Sequence, residues 1–140
     1  MTPQEEKELL LRVVTKLAGK QVEQGGFIPF GATLGSSRNV QLLMPKGMKR
    51  DVTRDELDAY WIRELRKATA SGECKTACWI ADVRMQSEEG VLHPAVMVHV
   101  EQAGAFSEDI LYPYKNERGS GVTFGEPTSE NTEHQIFATL

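Results

Sequence analysis

The chain has 140 residues, 40% of them hydrophobic and 26% charged, with a net charge of −4. A chain of this size and composition makes one ordinary domain, able to enclose a core and too small to divide. The early apolar run Leu9–Leu11 is cut by Arg12, so neither a signal-peptide core nor a membrane span is expected, and a cytoplasmic protein without a membrane partner is.

Residues 1–85 carry 14 basic and 11 acidic side chains, and residues 86–140 carry 2 and 9. That distribution argues against nucleic acid as a partner. Cys74 and Cys78 have no second pair beside them and no histidine at zinc-finger spacing, so no metal or other cofactor is expected. On a strand they would lie too far apart for a disulfide, and reduced thiols suit the cytosol.

Thr2-Pro3-Gln4-Glu5 reads as a capping box, and Leu10, Val13, Val14, Leu17 and Ala18 recur at helical spacing. A first helix is expected from Pro3 to Gln24, stopped by Gly25-Gly26. Two short strands follow, near 30–34 and 40–44, joined by the turn-forming stretch Gly35-Ser36-Ser37-Arg38-Asn39. A second capping box, Thr53-Arg54-Asp55-Glu56, opens a helix with the stripe Leu57, Tyr60, Trp61, Leu65 and Ala68. The period then falls to two: Ala77, Trp79, Ala81 and Val83 in one strand, Val96, Val98 and Val100 in the next, with Ser87-Glu88-Glu89-Gly90 between them. A third strand is expected over about 106–114 and a fourth over about 122–125.

The expected fold is α+β, a single antiparallel sheet of five or six strands with both helices packed on one face, in the order α-β-β-α-β-β-β(-β). One domain covers 1–126, and 127–140 is a polar C-terminal tail, loose or added at an edge. The order resembles in part the sheet of profilin and roadblock domains, without their final helix.

A four-residue loop at Ser87–Gly90 places Trp79 opposite Val98 and Cys78 opposite His99, and a three-residue loop at Ala103–Ala105 brings Asp109 beside His99. Cysteine, histidine and aspartate are the ingredients of an activated nucleophile. Flat cross-strand neighbours without a pocket or oxyanion donors weigh against catalysis. His93 and His99 are too distant on one strand to share a metal, and His134 reads as a solvated tail residue. The basic loop Lys46, Lys49 and Arg50 precedes the second helix and could hold an anion, although Thr53 already caps that helix and nearby acids offset the charge. In the same register Ile80 and Met97 form an apolar centre on an exposed sheet face, either an interface or a surface covered by Ile136 and Phe137.

Phe27-Ile28-Pro29-Phe30 and Tyr112-Pro113-Tyr114 repeat an aromatic, proline, aromatic pattern, which belongs at strand ends or edges because proline lacks the ladder donor. The rings either plug the core or contact a partner. At Phe27, Pro29, Phe30 and Gly31 the chain resembles small bacterial domains of unknown function with a Phe-x-Pro-Phe-Gly motif after the first helix. The resemblance implies no catalytic residues. Proteins of similar layout include immunity partners of bacterial toxins, so it leaves a protein-binding role open. The expected function is a non-enzymatic module binding another protein or itself, possible homodimer included, through Phe27, Phe30, Ile80, Met97, Tyr112 and Tyr114. The alternatives are a small enzyme or ligand-binding domain built on Cys78, His99 and Asp109 or on the basic loop, and a toxin-immunity partner.

Overall fold

The computed structural model describes residues 1–47, 52–117 and 121–138. Helix α1 spans Pro3–Gln24. The Thr2 hydroxyl accepts the Glu5 N–H at 3.1 Å and the Glu5 carboxylate accepts the Thr2 N–H at 3.3 Å, while Gly25 ends the helix at φ +80°. Leu10, Val14, Ala18 and Val22, one turn apart, form its buried stripe. Strands β1 (Phe30–Gly35) and β2 (Val40–Leu43) make a hairpin, and helix α2 (Arg54–Ala68) starts on its own capping box at Thr53 and Glu56. Then come β3 (Cys74–Gln86), β4 (Leu92–Gln102), β5 (Ser107–Glu117), β6 (Gly121–Phe124) and β7 (Thr128–Asn131).

These seven strands form one sheet in the order β2-β1-β3-β4-β5-β6, antiparallel throughout, with β7 also paired to β5. The α+β class and the antiparallel sheet are as expected. The sheet gains β7, which pairs with Glu108–Leu111 while β6 pairs with Tyr114–Glu117, so two short strands share one flank of β5. The segment after Phe124 is therefore packed: Ile136 is buried in the core. Among the described residues, no helix is long and apolar enough to cross a membrane.

The helices do not share a face. α1 packs on the side that presents Phe30, Ala32, Cys78, Ile80, Val98 and Val100. α2 packs on the side that presents Ala77, Trp79, Ala81 and Met97, joined there by Ile136. Neighbouring residues of a strand point to opposite faces, so this is a three-layer sandwich with a core on each side of the sheet. Gly31 is set by that packing, because a Cβ there would fall 2.9 Å from the Trp61 ring.

The reason for the difference lies in the β3–β4 turn. Ser87 N–H donates to the Val91 carbonyl at 2.9 Å and Gly90 N–H donates to the Ser87 carbonyl at 2.9 Å, with Gly90 at φ +80°. Gly90 and Val91 thus oppose Ser87 as a bulge, and Gln86 faces Leu92 rather than Val91. That one-residue shift pairs Trp79 with His99 and Cys78 with Val100. The β1–β2 hairpin repeats the pattern, with Gly35 bonded to Asn39 and Arg38 at φ +65° in the left-handed position.

Candidate functional site

Among the described residues, a buried charge cluster lies on the α2 side of β4, and exposed apolar side chains lie at the outer flank of β2.

His99 is 3% exposed and stacks on Trp79, with ring centroids 4.3 Å apart. Its Nδ1 lies 2.6 Å from an Asp109 carboxylate oxygen and its Nε2 lies 2.5 Å from Glu101. Asp109 is its direct cross-strand partner, as the loop count at Ala103–Ala105 anticipates. Glu101 is wholly buried, and its carboxylate also accepts the backbone N–H groups of Gln135, Ile136 and Phe137, at 2.9 to 3.2 Å. Burial by itself would lower the His99 pKa, but hydrogen bonds and charge from Asp109 and Glu101 outweigh it and raise it to about 9. Burial likewise opposes ionisation of Glu101, while the bond to His99 and the three backbone donors hold its pKa below the ordinary carboxylate range. The cluster is an imidazolium between two carboxylates. Fixed on both nitrogens, this imidazole has no free atom with which to take a proton from a substrate.

The cluster ties the C-terminal segment to the middle of the sheet. Arg66 donates to the Gln135 carbonyl at 2.8 Å, the His134 ring lies 2.9 Å from the Gln102 carbonyl, and Ser107 bonds to Thr132 and Glu133. His134 is thus half-buried and bonded instead of solvated.

The proposed nucleophile row does not form. Cys78 lies on the α1 face, opposite Val100 and away from His99, and burial pushes its thiol pKa far up, only partly offset by the backbone of Ala32. Ile80 and Met97 fall on opposite faces, at 0% and 1% exposure, so the expected exposed apolar centre does not form. Both corrections follow from the single-residue shift. His93 is exposed at the far end of β4, where Pro94 lies just beyond the last residue paired with β5. Lys49 and Arg50 lie outside the described residues. Lys46 is exposed, and its backbone N–H donates to the Tyr60 hydroxyl at 2.8 Å, which pins the loop to α2.

The aromatic motifs pack against the α1 side of the sheet. Phe27 and Phe30 approach at 6.4 Å, and Phe124 meets Tyr112 at 6.0 Å and Tyr114 at 6.3 Å, all against the α1 core. Tyr114 donates to Asp82 at 2.8 Å. Phe30 has a second surface, as the floor of a groove of about 280 Å³ between α1 and β2, with Leu17, Lys20, Gln21, Gln24, Leu42 and Met44 as its walls. Leu42 is 47% exposed, Met44 53% and nearby Ile28 51%. Sequence reading missed this strip because Leu42 and Leu43 look alike, and only the register sends Leu43 inward and Leu42 toward the groove.

No family model, no curated protein and no solved structure matches this chain, so the functional reading rests on the geometry of these two places.

Proposed function

We propose that this chain is a non-enzymatic protein-binding module that receives its partner along the flank of β2 that no described strand covers. The observation that carries the reading is the pair of exposed apolar side chains, Leu42 on the edge strand β2 and Met44 just after it, at a groove that Phe30 also lines. Large apolar side chains clustered at a strand without a neighbour are the usual ground for recognition by another chain. Both broad faces of the sheet are covered by helices, which leaves its margins for contact. The inaccessible cysteine and the doubly bonded histidine supply no catalytic group.

A photo-crosslinking amino acid at position 42, introduced in cells that express the protein, tests this. A discrete adduct with a second protein is expected at 42 and not at the exposed helix position 63. Equal labelling at both positions, or none at 42, refutes the reading.

A further inference from the structure

We infer that the segment seated on β2 is acidic and extended, and that it joins the sheet as one more strand; this rests on the protein-binding reading above. Three observations bear on the occupant. The first is backbone geometry. Gly35 and Asn39 form the first hydrogen-bonded pair of the β1–β2 hairpin. The antiparallel alternation then directs Gln41 and Leu43 toward β1, and the N–H and C=O groups of Val40 and Leu42 outward. An incoming strand therefore finds two residues whose outward donors and acceptors pair with no described strand, in register with the Leu42 side chain.

The second is charge. Between Glu23 and Asp51 the sequence holds no acidic residue. β2 is bracketed by the exposed cations Arg38 and Lys46, and Lys20 stands on the groove wall. Arg38 also keeps a left-handed backbone, φ +65°, where glycine would be the relaxed choice. A second copy paired symmetrically about Leu42 would set Arg38 opposite Lys46, like against like, so charge selects against the self-complex and for a chain with acidic residues flanking an apolar one.

The third is length. β2 has four residues and is followed by Pro45, so the added ladder is short. Affinity then depends on one apolar side chain entering the groove over Phe30, with the ladder setting register.

The experiment is selection from a displayed library of random peptides on the intact protein, followed by synthesis of the enriched sequence. Acidic peptides with alternating apolar residues are expected. Their binding should weaken with salt and fall roughly tenfold in the combined variant Lys20→Glu, Arg38→Glu, Lys46→Glu, as the sum of three modest surface charge contacts. In the unaltered protein, amide exchange at Val40 and Leu42 should slow on peptide binding while Gln41 and Leu43, already bonded, change little. Enrichment of neutral or basic peptides, protection confined to other strands, or no enrichment overturns the inference. If position 42 still crosslinks to a protein in any of those cases, the binding role stands and only the acidic, extended occupant fails; without that adduct, both fail.

Discussion

Replacing Glu101 by Gln tests the internal charge cluster most directly. The carboxylate is fully buried, lies 2.5 Å from His99 and accepts three consecutive backbone N–H groups. The amide keeps the shape but removes the charge and turns one acceptor into a donor facing donors. Removing one member of a buried pair costs about 3–5 kcal/mol, because the remaining charge is left uncompensated. Whole domains are stable by only about 5–15 kcal/mol, so the urea midpoint should fall by about a fifth or more. pH gives an independent handle. His99 is raised from 6.5 to about 9, so its stabilisation is complete below the unfolded value and is lost as pH rises through the folded one. That interval corresponds to roughly 3 kcal/mol. Glu101 is lowered, so its share is present above the ordinary carboxylate range and lost as pH falls through the depressed value. The unaltered protein should thus weaken between pH 6.5 and about 9, and Glu101→Gln should flatten that decline. A variant within about 1 kcal/mol of the parent, with exchange protection at 135–137 intact, would refute the argument.

Arg38→Gly should stabilise the fold by about 1 kcal/mol by relieving a left-handed side-chain clash, read as a higher thermal midpoint; a lower midpoint contradicts the turn geometry. Gly31→Ala should destabilise by about 1–3 kcal/mol, since the new methyl meets the Trp61 ring at 2.9 Å; an unchanged midpoint would show that the ring can move aside. Cys78 should resist alkylation until the protein unfolds, whereas the half-buried Cys74 reacts first. Rapid native labelling of Cys78, read by peptide mass, would reopen the thiol chemistry.

Both helices and their first turns are readable in the sequence because Thr2 with Glu5, and Thr53 with Glu56, act within one turn. Strand positions are readable for the same local reason. The layering differs from the expectation although a signal for it exists: Ala77-Cys78-Trp79-Ile80-Ala81 and Ala95-Val96-Met97-Val98 are continuous apolar runs, the mark of strands buried on both faces. Alternation hid this, since Trp79 or Ile80, Met97 or Val98, each makes a plausible inward set. The register turned on whether Gly90 closes the loop or enters a bulge, a choice made by one backbone angle. His99 beside Asp109 was within reach, because the short β4–β5 turn fixes it. Glu101 with residues 135–137 was not, because nothing local links a strand carboxylate to amides more than thirty positions away.

The tie between Glu101 and residues 135–137 also orders events during synthesis. A chain is made N-terminal end first, so both helices and β1 to β7 are synthesised before the three amides that donate to the central acid. Until those amides arrive, closing the α2 layer would trap an imidazolium and two carboxylates without their full set of donors, and Trp79 and Met97 would lack the cover of Ile136. The incomplete polypeptide should therefore stay open on that side, whereas the α1 side, whose cluster reaches only to Phe124, can close. A chain cut after β6 should accordingly keep the α1-side core, Val122 and Phe124 included, and expose the α2-side core, the form of this protein most prone to be bound by chaperones.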